Sequence, residues 1–562
     1  MNKMKCILAT CMICLFASAP LFAQEDLDKV FDEFDKENKS KYEEFKNKAD
    51  AEFETFLRET WKKYNAFAPV EPPVKPKPVK PTVLDKSKPQ LPPVTIKPAG
   101  FKVPDASAPG IGKVTGPEIH KPNQPKLGAQ PVAGDLKVDG NAQKPGMGKT
   151  TGPDIHKPEL ANLSGADIPA PGIYVPGKPY VPVMVPMPIV PKKPGKHVKR
   201  TEIEFYGTTF EVATDVAANL KLASNRESDI ANAWKELCQK DHEQLVADCR
   251  NIKNDYKLND WAYLLFTQQI GLQLYGETRQ DDIAFLQMFL LCKSGYKVRL
   301  AKNDEKLKLL VATAGTIYST PGLQLNGEKY YVFNVTKGAS NGYYTYRQNF
   351  ADSKNLVCLN LDEVPLFEVD EIERVLTPST KSFSVKTIIN KNLQDFYRDY
   401  AKCDVVLHYK APMSDDLRKQ LYDALKKEIA GKSQKDAANI LINFVQTAFE
   451  YKTDGDQFGY EKPFFLDETF YYPFCDCEDR AMLFSTLVRD LMGLETVLLD
   501  YPKHIASAVR FTEDIKGDAL EFKDGSVYLI CDPTYIGATV GMCMPSFKKY
   551  RNRICRFWPM AS

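Results

Sequence analysis

The sequence predicts an α+β protein: two related folded domains in the last 362 of its 562 residues, preceded by a long helix and an extended proline-rich linker. Three observations point there. Of 39 prolines, 28 lie between positions 69 and 194 and only ten follow position 201, so the middle of the chain is not a packed domain. After position 201 apolar residues recur at helical spacing and then in short strand-like runs, enough to bury one core or two. That helix-then-strands plan occurs twice.

Residues 1–23 have the layout of a secretory signal peptide: Lys3 and Lys5 precede an apolar run at 6–16, and small residues follow up to Ala23. The run is too short to span a bilayer as a helix, and no other segment approaches 18 uninterrupted apolar residues. The expectation is an exported protein, periplasmic, cell-surface or secreted, with no integral membrane segment once the signal is removed. Ten of the 13 cysteines remain after it, and their spread resembles no dense disulfide framework.

In residues 24–67, aromatic pairs recur every eleven residues: Phe31 and Phe34, Tyr42 and Phe45, Phe53 and Phe56, Tyr64 and Phe67. Eleven residues span three turns at about 3.67 per turn, which keeps the pairs on one face of an amphipathic, slightly right-handed helix. Self-association is the simplest cover for that face. Docking on the chain's own folded part or on a surface partner is the alternative. Residues 68–200 are too rich in proline for helix or sheet and read as extended polyproline II with flexible joints. A segment at 110–122 recurs at 146–158, as a docking sequence or a duplicated piece of linker. Its Gly148-Lys149-Thr150 is no phosphate loop, because Gln143 stands where that motif needs glycine and no strand or helix flanks it. The net charge of +2 conceals an acidic helix and a basic linker, and the near-neutral whole argues against a nucleic-acid binder.

The densest chemistry begins at Asp476-Cys477-Glu478-Asp479. Apolar residues at 483/484, 487/488 and 491 follow the helical period, Asp476 can cap the start, and Gly493 is a natural stop. Cys477 therefore falls in a first helical turn, where the macrodipole and free N–H groups favour a thiolate. Strands are predicted at 496–501, 505–511 and 527–531, with His504 at the turn into the second and Asp532 at the end of the third. A Cys-His-Asp triad is then geometrically reachable. Of six histidines, His120, His156 and His197 lie in the linker, and only His504 lies between the cysteine and the aspartate. His408 sits in an apolar, strand-like run at 405–409, and His242 in the first domain.

These residues resemble the transglutaminase-like superfamily of papain-like cysteine enzymes. In that family Cys-x-Asp-x-Ala opens a helix ending in Leu-Arg and Gly, a His follows, and a strand closes with Asp-Pro-Thr. The matching positions are Cys477, Asp479, Ala481, Val488-Arg489, Gly493, His504 and Asp532-Pro533-Thr534, within residues 434–541. The resemblance implies a papain/transglutaminase-like core with Cys477 as nucleophile, His504 as general base and acid, and Asp532 orienting the imidazole. Many members carry an aromatic shortly after the histidine; this chain has Ile505-Ala506-Ser507. The Asp476-Cys-Glu-Asp run also resembles exported bacterial peptidases that hold calcium near the nucleophile. The triad chemistry requires no cofactor, and calcium is the one that the resemblance admits. Gln457, Tyr471 and Tyr472 are the nearest upstream candidates for a second oxyanion donor beside the Cys477 N–H. Three blander readings compete: a metal site using Cys475, Cys477 and His504, a disulfide through Cys477, and a triad kept only for binding.

The same template fits an earlier stretch. Gln280-Asp-Asp-Ile-Ala matches Cys477-Glu-Asp-Arg-Ala, Gly295 matches Gly493, Lys306 matches His504 and Asn334 matches Asp532. With Gln280, Lys306 and Asn334 at the triad positions, residues 201–378 form a degenerate copy with a β-rich connector at 342–378, including strands at 356–361. Residues 379–562 form the catalytic copy. The expected function is cysteine chemistry on a protein or peptide amide through a thioester, hydrolysis ahead of cross-linking. The alternative is a non-catalytic envelope or surface interaction protein with pseudo-enzyme domains.

Overall fold

The computed structural model describes residues 24–59, 61–73, 81–85, 199–303, 306–333, 342–522, 525–550 and 556–559. The expected signal peptide at 1–23, the repeated linker segment, Asn334 and Cys555 lie outside the described residues. Helix and sheet are mixed in the α+β manner expected. Among the described residues no helix is long and apolar enough to cross a membrane.

The folded region follows one path twice. Each half opens with an antiparallel hairpin, Arg200–Phe205 with Thr208–Ala213 in the first and Glu371–Leu376 with Val385–Asn390 in the second. Each then builds a pair of packed helices, Asp260–Tyr275 against Gln280–Lys293 and Gln434–Thr447 against Cys477–Met492. The second helix of each pair is buried around most of its circumference because the first covers one side and an antiparallel sheet the other. In the first sheet the strands lie in the order Lys62–Asn65, Gly342–Thr345, Val298–Asn303, Lys306–Ala312, Glu328–Val332, Gly322–Leu325. In the second they are Arg556–Pro559, Glu495–Tyr501, His504–Arg510, Val527–Cys531, Ala519–Glu521.

Apart from one extra edge strand in the first, the two orders are equivalent, and the central strand pairs share their register, while the outer pair Gly322–Leu325 with Glu328–Val332 is offset by one residue from its counterpart. Asn303 pairs with Lys306 as Tyr501 pairs with His504, and Leu310 pairs with Val332 as Ala508 pairs with Ile530. The same step along the chain separates Lys306 from His504, Leu310 from Ala508 and Val332 from Ile530. A one-residue slip would turn every side chain over, so this agreement fixes which residues of the two sheets correspond.

Several boundaries differ from those the sequence suggests. The N-terminal helix spans Gln24–Arg58 and stops there; Tyr64 lies in the strand Lys62–Asn65, which pairs antiparallel with Gly342–Thr345, and Phe67 bridges to Gly322. Unpaired sheet-edge groups outcompete a fourth helical repeat. The helix is covered by the chain's own fold, through Ala49, Phe53 and Leu57, followed by Trp61, while Phe45 remains 53% exposed. Phe53 meets Trp234, Phe350 and Tyr346 edge-on at ring distances of 4.6, 5.4 and 5.7 Å. Asp50 forms a buried ion pair with Lys293. The first residues of the linker also stay on the fold, since Ser319 N–H donates to the Val70 carbonyl at 2.7 Å.

In the connector, Gly342–Thr345 belongs to the first sheet, whereas residues 356–361 form no strand and are tied by isolated bridges such as Thr313 to Val357. The boundary at 378/379 falls inside the hairpin of Glu371–Leu376 and Val385–Asn390, so the second half begins before it. The run around His408 is the helix Val405–Lys410, because Asp404 caps it by accepting the Val406 N–H at 3.0 Å.

Phe53→Ala removes a fully buried ring and is expected to cost about 3–5 kcal/mol in denaturant unfolding at any protein concentration. Phe45→Ala, on the exposed side, should change stability by less than about 0.5 kcal/mol. A concentration-dependent loss in either variant would point to self-association instead.

Candidate active site

Cys477 is the first residue of its helix. The preceding Asp476 N–H donates to Asp479 Oδ2 at 3.1 Å, and the Phe464 N–H donates to Asp479 Oδ1 at 3.1 Å, so one carboxylate ties the helix start to the incoming chain. Fully buried Arg480 donates to the carbonyls of Gln446 and Phe449 at 3.3 and 2.8 Å. At the far end Gly493 adopts the left-handed conformation (φ 66°) that closes the helix. Ser507 Oγ donates to the Ala481 carbonyl at 3.0 Å and accepts from Ser485 Oγ at 3.0 Å, which locks the helix to the strand His504–Arg510.

That strand begins one residue earlier than expected, at His504 itself. The turn before it is Pro502-Lys503, with Lys503 at φ 68°, a conformation a non-glycine residue adopts only when its surroundings hold it there. His504 Nε2 and Asp532 Oδ2 are 2.8 Å apart, and the other Asp532 oxygen accepts the Thr534 N–H at 2.9 Å. The Ile505 N–H donates to Cys477 Sγ at 3.5 Å, and the thiol donates to Glu478 Oε2 at 3.4 Å. Cys477, His504 and Asp532 are thus brought together, and all three are buried. His504 Nδ1 is buried and makes no hydrogen bond among the described residues.

Two residues at this site escaped the sequence. Phe547 stacks on the His504 ring at 4.9 Å and 10°, supplying from far along the chain the aromatic that does not follow the histidine. Gln446 Nε2 donates to the carbonyls of Asp532, Tyr535 and Ala538 at 3.4, 2.9 and 3.0 Å, while its Oε1 accepts the Gly537 N–H at 3.2 Å. One buried amide therefore holds the whole loop that carries Asp532. Neither residue belongs to a local motif, and no spacing signal marks them.

Gln457 ends the short helix Asp454–Gln457, whose Asp454 N–H donates to Asp476 Oδ2 at 3.3 Å, so this turn abuts the residue before Cys477. Tyr472 is committed elsewhere: its ring stacks on Phe464 at 4.9 Å, and its carbonyl accepts from Arg374. Carboxylates crowd the same place. Asp454, Asp476 and Asp479 form one set with oxygen atoms within 4.8 Å of one another, and Asp454, Glu461 and Glu478 form another. This all-oxygen chemistry suits a hard cation such as calcium. Cys477 also falls in a set with Asp476 and Glu478, but no metal-ligand cluster of Cys475, Cys477 and His504 occurs among the described residues, and no disulfide joins the described cysteines. Burial pushes the Cys475 thiol up to about 11 and the Cys531 thiol above its ordinary range, so both neighbours stay protonated.

In the first half, Gln280 begins the corresponding helix but is exposed and bonded to the Glu277 carbonyl. The counterpart of the Ile505–Cys477 contact is made by Asp281, whose Oδ1 accepts the Leu307 N–H at 2.9 Å. Asp281, not Gln280, therefore makes the contact that Cys477 makes in the second half, because a carboxylate one residue further along the helix reaches the equivalent N–H. Burial holds the Asp281 carboxyl above its usual range, opposed by the Leu307 hydrogen bond and the Lys306 charge.

No protein-family model, curated protein or solved structure matches the chain.

His242 and His408 cannot serve as bases here; burial lowers both to about 3. Since unfolding lets them take up protons, the stability they contribute is complete above about pH 6.5 and is lost as pH falls towards 3. His408→Gln should flatten urea-unfolding stability between pH 6.5 and 4 by up to about 1.4 kcal/mol per pH unit. An unchanged slope would mean that His408 is already charged in the folded protein.

Proposed function

We propose that the protein is an exported, transglutaminase-like cysteine enzyme that cleaves peptide or side-chain amides through a Cys477 thioester. The observation that carries this reading is the His504 ring: Nε2 is engaged by Asp532, Nδ1 has no partner among the described residues, and the next N–H along the strand meets the Cys477 sulfur. Asp532 accepting from Nε2–H leaves the lone pair on Nδ1. In the reaction Nδ1 takes the thiol proton, the sulfur attacks the amide carbon, and the C–N bond breaks as the leaving nitrogen receives that proton. Water then attacks the thioester, giving its proton to Nδ1, and the carboxylic acid leaves as the thiol is restored. The Cys477 N–H at the positive end of its helix supports the developing oxyanion. Hydrolysis is favoured over transfer to an amine because water is the default acceptor.

The equivalent strand order and central-strand register of the two halves support an origin by duplication, with the first half a pseudo-enzyme domain lacking a thiol at its helix start. A papain-like core remains part of this proposal. The complete burial of the triad favours a second reading, a non-catalytic envelope or surface interaction protein. A thiol-directed peptide aldehyde separates the two. Labelling of Cys477 that falls by about a hundredfold or more in His504→Ala supports the enzyme; equal labelling in both proteins supports the binding protein.

Calcium fits the carboxylates Asp454, Asp476, Asp479, Glu461 and Glu478, where it would neutralise their charge beside the thiol. Saturating calcium is expected to raise the melting temperature and EGTA to reverse it, with the response lost in Asp454→Asn. No shift in the unaltered protein would remove calcium from the proposal.

A further inference from the structure

Five linker residues, Pro81-Thr82-Val83-Leu84-Asp85, lie against the loop that follows Asp532. Val83 bridges Ile536 in parallel: the Leu84 N–H donates to the Ile536 carbonyl at 2.8 Å, and the Ile536 N–H donates to the Thr82 carbonyl at 2.8 Å. Side chains alternate as in an added strand. Val83 points outward, 65% exposed, while Leu84 packs into an apolar cluster with Tyr535, Ala538, Met544 and Phe547.

This contact is joined to the triad twice. Phe547 belongs to the cluster and also stacks on His504. Gln446 holds the carbonyls of Asp532, Tyr535 and Ala538 together, so the edge offered by Ile536 and the orientation of Asp532 share one buried brace. Gly537, at φ 82°, permits the bend that exposes the Ile536 N–H and carbonyl on one side.

We propose that the Ile536 edge and the apolar cluster beside it form a peptide-binding subsite. Its ligand is an extended segment with an aliphatic residue at the Leu84 position, and the chain's own residues 81–85 fill it in cis. Assigning the subsite to substrate rests on the enzyme reading above; the binding itself does not. The recognition is mainly through backbone hydrogen bonds, with one inward side chain setting preference. A tethered copy occupies such a site at high effective concentration, so an untethered peptide competes poorly until the tethered copy is weakened.

The test is fluorescence anisotropy with a labelled peptide of sequence 80–86 and full-length Cys477→Ala protein, with and without Leu84→Asp. Leu84 is only partly buried, so its replacement leaves the folded core intact. The Leu84→Asp chain should bind the peptide at least about tenfold more tightly than the chain with its own Leu84, and should not bind a peptide carrying the same change. Equal affinity of the two chains, or no binding to the Leu84→Asp chain, overturns the subsite. Because the binding is read without the thiol, a chain that binds the peptide while its Cys477 proves inert removes the enzyme reading and leaves the subsite standing.

Discussion

Burying the start of a helix is the constraint on which the second domain depends. Cys477, Glu478, Asp479 and Arg480 are all within 1% of complete burial, so backbone N–H groups that water would ordinarily satisfy must find acceptors inside the protein. The chain answers with carboxylates at the helix start, where Asp476 and Asp479 form a reciprocal capping box. Those charges in turn need donors: Asp479 takes the N–H groups of Asp476 and Phe464, and Asp454 beside them takes that of Lys462 at 2.7 Å. The thiol sits in the middle of this arrangement. Its surroundings therefore follow from a folding requirement before any reaction is considered.

The two halves solve the same frame differently. In both, the strand after the helix turns back after two residues and presents an N–H to whatever stands at the helix start. That group is a sulfur in one half and the Asp281 carboxylate in the other. A carboxylate satisfies the same donor without a thiol, so the first half keeps the architecture with a different group at its helix start. Lys306 stands where His504 stands in the second half, and it is exposed rather than buried against a helix start.

What was legible in the sequence was what local periodicity encodes. The helix Cys477–Met492 was readable from its apolar spacing and Gly493, and the strand Val527–Cys531 from its apolar run between turn residues. The pairing of Lys306 with His504 was readable because equal spacing in sequence became equal register in the sheets. The failures have a common cause in tertiary competition. The eleven-residue aromatic repeat continues to Phe67, yet the sheet edge captures the chain after Arg58. The run at 405–409 has strand composition, but Asp404 caps it as a helix. Gln280 occupies the right place in sequence, but it turns to the Glu277 carbonyl and the shorter carboxylate of Asp281, one residue further along the helix, takes the contact. Phe547 and Gln446 reach the site from other elements, and a single sequence carries no mark of such approaches.

The strand Lys62–Asn65 has a further consequence. It covers the side of Gly342–Thr345 that would otherwise present unpaired backbone groups at the sheet border, and it places Lys62 and Lys63, both exposed, along the new border. Charged side chains on an outermost strand discourage other chains from adding to it. The helix that precedes this strand is thereby a clasp as well as an anchor. Without residues 62–65 that border would be open to strand exchange between molecules, so it is guarded by a segment far along the chain from the thiol.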